Sequence, residues 1–305
     1  MMIAFLLLGF VPPLSTAIPL PDAVPRAYWG TGSPAAFAYQ QPPTSPVSSE
    51  ATQEQADPHN LEEGFPVSVE DAFPIGYRER EFQIVGHYDD GGRGNPNTFT
   101  LDPGVEWGVA PRSQLRLYSR LVFTSRRLRE QSGDVAIDSL HNFSSERGLL
   151  PALAYSVGVD FPTGKESRGI DAFARLLATK TLGTDRERSW RLHINAAWRH
   201  STNRRTGAIT GKINDEQEEN EGEAARRNRF EAAMGMSRWI DSATVFVADV
   251  AYSEERERSE TPRLLEIGLR RRVTPFTVVS LGIGAGVGSN TPTRSRVTLG
   301  IQAGF

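Results

Sequence analysis

The feature that most constrains this chain is an alternation of apolar and polar residues that recurs in stretches of about ten residues. The last stretch, residues 294–305, reads RSRVTLGIQAGF and places Val297, Leu299, Ile301 and Phe305 on one face. The residues between them are polar or very small. Side chains of a β-strand point alternately to opposite faces, so a period of two predicts a strand with one apolar face.

The same alternation predicts about twelve strands between residue 80 and residue 305. We expect them at 80–89, 98–109, 113–125, 133–143, 150–161, 171–183, 189–201, 228–239, 242–254, 262–273, 276–288 and 294–305. An even number of antiparallel strands brings both chain ends of a closed barrel to the same side of it. The predicted fold class is all-β, an antiparallel transmembrane β-barrel of about twelve strands that follows an N-terminal leader of little regular structure.

The connections between the predicted strands differ in length according to the side of the barrel. On the side of the last residue most are short, such as 110–112, 240–241 and 274–275, whereas the opposite side includes 90–97 and 202–227. Short turns on one side and longer loops on the other are typical of outer-membrane barrels, and nothing in a soluble sandwich requires this sorting. We therefore predict that the protein lies in the cell outer membrane.

Charged residues occupy the strand faces opposite the aliphatic side chains. Such residues are almost never buried in an apolar core without a partner, so these faces predict a polar barrel lumen. The predicted lumen-lining residues are Asp102, Glu106, Arg116, Arg120, Asp160, Arg175, Arg191, His193, Arg199, Arg229, Glu231, Glu266, Arg270 and Arg296. Two interpretations stay open: the charges steer small solutes through a pore, or they form a structural network of ion pairs that fills a narrow barrel.

The sequence before residue 80 differs in composition from the rest. Residues 3–14 form a continuous apolar run, too short to span a bilayer as a helix, and small residues follow it at the spacing of a cleavage site. We therefore predict a signal peptide at 1–17. Residues 18–79 are rich in Pro, Ser and Gln over much of their length and predict a periplasmic leader or a plug, and 80–305 is the predicted barrel.

Composition excludes several other kinds of site. The chain contains no cysteine, which rules out disulfides, thiolate metal sites and cysteine catalysis. A formal net charge of -3, from 34 basic and 37 acidic residues, gives no concentrated basic surface for nucleic acid. The five histidines show no metal-ligand spacing. We predict no nucleic-acid partner, no metal and no cofactor.

Two further patterns have alternative interpretations. The neighbours His200 and Ser201, and His141 and Ser139, are the candidate groups for a barrel enzyme such as a lipid hydrolase, but neither pair has a recognisable third partner. We therefore predict that the protein is not an enzyme and keep the hydrolase as an alternative. The acidic run at 215–223 fits a solvated outer loop, or a site for divalent cations among surface lipopolysaccharide.

Three stretches of the chain resemble a known family. They read DPGVEWGVAPRSQLRLY at 102–118, SGDVAIDSLHNF at 132–143 and LPALAYSVGVDFPTG at 150–164, and the last is the most specific. On these stretches residues 80–305 are similar to the outer-membrane family named after the meta-pathway of phenol degradation. The resemblance implies a channel or transporter for small, aromatic or hydrophobic molecules. From the charged inward faces we predict that these molecules cross by passive diffusion through a charged lumen.

The end of the chain resembles the C-terminal insertion signal of bacterial outer-membrane barrels. Val297, Leu299, Ile301 and Phe305 carry this resemblance. It implies a Gram-negative outer-membrane protein that the barrel assembly machinery inserts, with outer-membrane lipid and lipopolysaccharide as its surroundings. We expect a monomer with a small-molecule solute. The alternative to a channel is a structural or surface-interaction barrel with a filled lumen.

Overall fold

The computed structural model describes the barrel and the residues directly before it. The described residues are 56–92, 95–124, 133–164, 167, 169–183, 189–202, 226–254, 261–288 and 291–305. The predicted signal peptide at 1–17, the leader up to residue 55 and the acidic run at 215–223 lie outside them. In the described part of the chain, no helix has the length and apolarity needed to cross a membrane.

The barrel consists of twelve antiparallel strands that follow one another along the chain. They are β1 (Arg80–Asp90), β2 (Thr98–Ala110), β3 (Ser113–Thr124), β4 (Asp134–Ser144), β5 (Ala152–Phe161), β6 (Asp171–Leu182), β7 (Trp190–Ser201), β8 (Asn228–Trp239), β9 (Thr244–Ser253), β10 (Arg263–Thr274), β11 (Thr277–Gly286) and β12 (Ser295–Gly304). Every predicted strand is present, with bounds close to those predicted. The predicted all-β barrel of about twelve strands is confirmed.

The first and last strands close the sheet. Each strand pairs with its neighbours in sequence, and β1 also pairs with β12. In that ladder Ile84 lies opposite Ile301 and Tyr88 opposite Val297. A closed ladder leaves no strand edge with unpaired backbone groups, which is the condition for a sheet to stand in hydrocarbon.

The outer face of the barrel is apolar. Leu176, Met234 and Leu281 are each more than half exposed, and along β10 the exposed Leu265 and Ile267 alternate with buried residues. Soluble monomers rarely expose a continuous apolar surface of this extent. Lipid-facing strands need only one apolar residue in two, so this surface is compatible with the low hydrophobic fraction of the chain, 38%.

The two ends of the barrel carry different connections. At the end where β12 finishes, the connections include 111–112, 240–243 and 275–276. The opposite end includes 91–97 and 202–227. We call the end with the short turns the inner end and the opposite one the outer end.

The residues before β1 lie inside the barrel. Residues 56–79, which we call the lumen segment, contact inward-facing side chains of strands around the whole wall. Its Leu61, Phe65 and Val67 are almost fully buried. The buried core of the molecule therefore lies between this segment and the inner half of the barrel wall. This core contains many polar side chains.

Candidate functional site: the barrel lumen

The inward face of the barrel wall carries the predicted lumen-lining residues. Each of them occupies an inward position of its strand, on the same face as the buried neighbours. The most buried are Glu106, Arg116, Arg175, His193, Glu266 and Arg270. This placement follows from the alternation alone, since a strand whose aliphatic residues face outward directs the others inward. Their part in solute passage stays a prediction.

In the outer half of the lumen, charged residues pair across neighbouring strands. Arg296 Nε donates to Asp89 Oδ1 at 2.7 Å. Arg199 lies between two carboxylates, with Nη1 2.5 Å from Asp160 and Nε 3.4 Å from Glu231. Two further pairs join Arg120 to Asp102 at 3.2 Å and Arg229 to Asp171 at 3.0 Å. The outer half is thus lined by matched charges, which makes a polar wall without an apolar core.

In the inner half, a buried arginine of β6 holds the lumen segment. Arg175 Nη2 lies 2.5 Å from Glu63 Oε2, and its Nη1 donates to Glu70. The side chains of Arg175 and Glu70 are each only 4% exposed. Arginine presents several donors in a planar fork, so one guanidinium can bind both carboxylates at once. This contact joins two points of the lumen segment to one point on the wall.

Side chains of the wall also form hydrogen bonds with backbone groups of the lumen segment. The backbone N–H of Val69 donates to Asp249 Oδ2 at 2.7 Å, and that of Ala72 donates to Thr179 Oγ1 at 2.9 Å. Other backbone groups of the segment bind Gln114, Asn142, Asn195 and Glu266. A buried backbone needs such partners, and here strand side chains supply hydrogen bonds that a β-ladder would otherwise provide.

Two histidines converge on one buried hydroxyl. His59 Nε2 of the lumen segment lies 2.8 Å from Ser237 Oγ, and His193 Nε2 of β7 lies 2.9 Å from the same oxygen. The His59 ring packs edge-on against Trp239, with 5.3 Å between the ring centroids. Burial, reinforced by Arg191 and His193, lowers the pKa of His59 to about 2, so its imidazole is neutral and can share a proton with the hydroxyl.

Glycines on the wall make room for one bulky turn of the lumen segment. A Cβ added at Gly300 would lie 2.1 Å from the Phe65 ring, and one at Gly268 would lie 2.4 Å from Pro66. The guanidinium of Arg270 lies over the Phe65 ring at 4.7 Å. Close approach of a ring to a strand requires the absence of a side chain, which is why glycine occupies these inward positions.

A polar recess remains at the inner end of the barrel. Its volume is about 630 Å³, and the lumen segment contributes Asp57, Asn60 and Phe73 to its lining. The barrel contributes Glu81 and Arg191, among others. The lumen segment thus leaves space at the inner mouth.

The serine–histidine pairs considered for hydrolysis do not form. His200 and Ser201 are adjacent on β7, so their side chains point to opposite faces of the sheet. His141 Nδ1 hydrogen-bonds the hydroxyl of Ser113 at 2.7 Å, while Ser139 donates to a backbone carbonyl at 3.1 Å. Neither pair therefore has the nucleophile–base contact of a serine hydrolase.

The predicted insertion residues lie on the outer face of the barrel. Val297, Leu299, Ile301 and Phe305 are between 42% and 60% exposed. The backbone N–H of Phe305 also donates to the carbonyl of Arg80, which extends the closing ladder by one bond. Their role in insertion stays a prediction.

Two solved structures share this architecture. The COG4313 outer membrane channel from Pseudomonas putida F1 superposes with a TM-score of 0.55 at 11% identity, over 80% of this chain and 100% of that chain. The NanC porin superposes with a TM-score of 0.52 at 12% identity, over 73% of this chain and 98% of that chain. The protein has the fold of these outer-membrane barrels.

Sequence comparison adds no family to this result. No family model matches the chain, and no curated protein matches it. The resemblance to the meta-pathway family of phenol degradation is therefore not confirmed. At 11% and 12% identity, the structural similarity establishes the fold alone.

Proposed function

We propose that the protein is an outer-membrane channel through which small solutes diffuse, and that the lumen segment controls passage. The observation that carries the proposal is how this segment is held. Charge pairs and side-chain hydrogen bonds attach it to the inner wall, through Arg175, Asp249 and Thr179 among others. A barrel can exchange such contacts for water without opening its own strand ladder. The shared fold with a channel and a porin supports the same assignment.

The inward-facing side chains of the wall favour the passage of small solutes that carry a charge or an aromatic ring. Arg199 lies 4.8 Å from the ring centroid of Phe173, and Arg116 lies 5.0 Å from that of Tyr118. Arg116 and Phe173 are themselves buried, so the partly exposed ring of Tyr118 and the matched charges of the outer half are the groups to which ionic and aromatic solutes can bind weakly. Within this proposal the solutes are small aromatic or hydrophobic molecules, as the family resemblance implies.

A filled structural barrel is the second candidate. The observation that favours it is the extent to which the lumen segment is packed, since Leu61, Phe65 and Val67 are each no more than 1% exposed. Such burial stabilises the docked segment by roughly 1.5–3 kcal/mol for each large apolar side chain. The segment is permanent in this candidate and removable in the channel.

The remaining sequence-based interpretations complete the proposal. We propose that the protein is exported through a signal peptide at 1–17. The barrel assembly machinery then inserts it by recognising Val297, Leu299, Ile301 and Phe305. In the membrane it is a monomer surrounded by lipid and lipopolysaccharide. Its place in the outer membrane of a Gram-negative cell is supported by the apolar outer face and by the fold.

Single-channel recording distinguishes the two candidates. Refolded protein spanning residues 18–305 is compared with the variant E63Q/E70Q, which removes both carboxylates that bind Arg175. We expect infrequent openings in the unmodified protein and a higher open probability in the variant. The matched control is E146Q, because Glu146 binds Lys180 on the wall rather than the lumen segment. An absence of conductance steps in all three, from protein with heat-modifiable barrel mobility, would favour the filled barrel.

A further inference from the structure

Three carboxylates meet where the lumen segment contacts β1 and β2. Glu62 comes from the segment, and Glu81 and Glu106 stand directly opposite each other in the β1–β2 ladder. One carboxylate oxygen from each lies within 4.8 Å of the other two. Like charges placed opposite each other destabilise a sheet, and removal from water increases the repulsion. The cluster therefore requires neutralisation, either by protons that the carboxyls share or by a bound cation.

Neutral amides, not cations, orient these oxygens. Gln302 Nε2 donates to Glu62 Oε1 at 2.6 Å and also to Glu81. Two further amide donors, Gln83 Nε2 and Gln114 Nε2, each lie 3.2 Å from Glu106. An amide donor fixes the position of a carboxylate oxygen but carries no net charge to offset it.

The nearest arginines are committed to other acceptors. Arg116 Nη1 lies 3.8 Å from Glu106 Oε1, but its shortest contacts, at 2.8 and 2.9 Å, are to Asp138. Arg270 donates to the backbone carbonyl of Asn60 and, at 2.6 Å, to the side-chain oxygen of Gln302. Among the residues that the structure describes, positive charge thus lies near the cluster without a close ion pair to each of its three carboxylates.

Two oxygens beside the cluster have no hydrogen-bond donor within the described part of the chain. They are Oε2 of Glu62 and Oε1 of Gln83, which belong to residues that are 3% and 7% exposed. The amide of Gln83 already contacts the cluster, because its nitrogen donates to Glu106. A buried acceptor without a donor is unfavourable, and a cation held between the carboxylates would supply the missing partner of Glu62 Oε2.

We propose that Glu62, Glu81 and Glu106 bind a divalent cation, with the carbonyl oxygen of Gln83 as a fourth ligand, and that this cation fastens the lumen segment to the wall. A site made only of carboxylate and amide oxygens selects a hard cation. Both Ca²⁺ and Mg²⁺ are hard cations, and Ca²⁺ is the probe used below because it accepts flexible arrangements of oxygen ligands, whereas Mg²⁺ demands near-ideal octahedral geometry.

The existence of the site does not depend on the proposed channel, whereas its effect on gating does. A cation bound between Glu62 and the two strand carboxylates joins the lumen segment to β1 and β2. Its removal leaves three carboxylates in mutual repulsion, and the segment can relieve this by moving Glu62 away. Calcium binding is therefore expected to hold the lumen closed.

Direct binding measurement tests the site. Refolded protein is treated with a chelator and then dialysed to equilibrium against Ca²⁺, and bound calcium is determined by mass spectrometry. We expect about one Ca²⁺ per chain and a decrease in affinity of about tenfold or more in E62Q. The control E146Q, at an acidic residue outside the cluster, should bind as the unmodified protein does. No bound calcium, or equal binding by E62Q and the unmodified protein, overturns the proposal.

A second measurement keeps the test independent of folding and of channel activity. Glu62 lies outside the strands, and heat-modifiable mobility reports whether E62Q forms the barrel. If it does not, Q83L replaces it, because that substitution removes a ligand without changing charge, and unchanged calcium binding in Q83L then overturns the proposal. A lack of bound calcium at neutral pH would overturn the proposal and leave shared protons as the neutralising group. If calcium binds but does not change the conductance, the proposed effect of calcium on gating is refuted and the calcium site is retained. If the protein conducts but binds no calcium, the calcium site is refuted and the proposed channel is retained.

Discussion

Replacing Arg175 by methionine should weaken the docking of the lumen segment while leaving the barrel intact. The guanidinium of Arg175 binds Glu63 and Glu70, which are seven positions apart on the segment. Methionine retains much of the length and apolar volume of the side chain but provides no donor and no charge. The strand ladder on either side of β6 uses backbone groups, which the substitution does not change.

The magnitude follows from how much of each carboxylate remains exposed. Removing one partner of a buried ion pair costs about 3–5 kcal/mol, because the remaining charge is left without compensation. Glu63 is 35% exposed and can be solvated again, whereas Glu70 is 4% exposed and cannot. The lower value, about 3 kcal/mol, therefore applies, and it corresponds to an increase of roughly 150-fold in the undocked fraction.

The absence of cysteine in the chain provides the assay. A single thiol introduced as S68C replaces a hydroxyl that donates to Glu266 at 2.5 Å inside the lumen. A water-soluble maleimide reaches this position when the segment leaves the wall. If redocking is faster than labelling, the labelling rate is proportional to the undocked fraction. The S68C/R175M protein should then be labelled roughly 150-fold faster than S68C alone.

Neutralising both carboxylates is the matched control for this prediction. In R175M/E63Q/E70Q no buried charge remains unpaired, so we expect the labelling rate of S68C to return to within about tenfold of the rate in the parent protein. Equal labelling of S68C and S68C/R175M would show that Arg175 does not hold the segment. Equal labelling of R175M and the triple variant would show that the unpaired carboxylates are not the cause.

Three further substitutions test other parts of the structure. S237A removes the hydroxyl shared by two histidines, and the docked lumen segment should lose roughly 1 kcal/mol of stabilisation. The labelling rate of S68C should therefore increase by several-fold to about tenfold. G300A places a methyl group against the Phe65 ring and should increase labelling without changing heat-modifiable mobility, because β12 itself is not disrupted. L281R introduces a charge on the outer face and should destabilise the barrel in lipid vesicles by about 2–4 kcal/mol relative to L281A, measured by urea titration. An L281R protein as stable as L281A would contradict the assignment of that face to lipid.

The strands were predictable because lipid and lumen impose opposite requirements on alternate residues. In β10, for example, Leu265, Ile267 and Leu269 face outward while Glu266 and Arg270 face inward, and this pattern is visible in the sequence itself. The same rule placed the charged residues in the lumen without any knowledge of their partners. The strand bounds agree with the prediction to within two residues, the largest differences being the starts of β5 at Ala152 and β9 at Thr244 and the end of β11 at Gly286.

The docked lumen segment was not predictable to the same degree. Val67 and Val69 alternate with polar residues, which indicates an extended segment with one apolar side. Nothing local indicates which wall residues it meets, since Glu62 binds Gln302 at a separation of 240 positions. The carboxylate cluster was only partly predictable for the same reason. Glu81 and Glu106 follow from the β1–β2 register, whereas the third carboxylate requires the path of the segment through the barrel.

The shape of the wall bears on whether the lumen segment is removable. A narrow barrel can be filled by its own inward side chains, yet here Gly268, Gly282 and Gly300 leave a strip of β10, β11 and β12 without any. Phe65 and Pro66 occupy that strip. If they withdraw, bare backbone borders the space that they vacate. The wall is therefore built around a separate segment, and under the proposed channel function a solute passes through the space that this segment leaves.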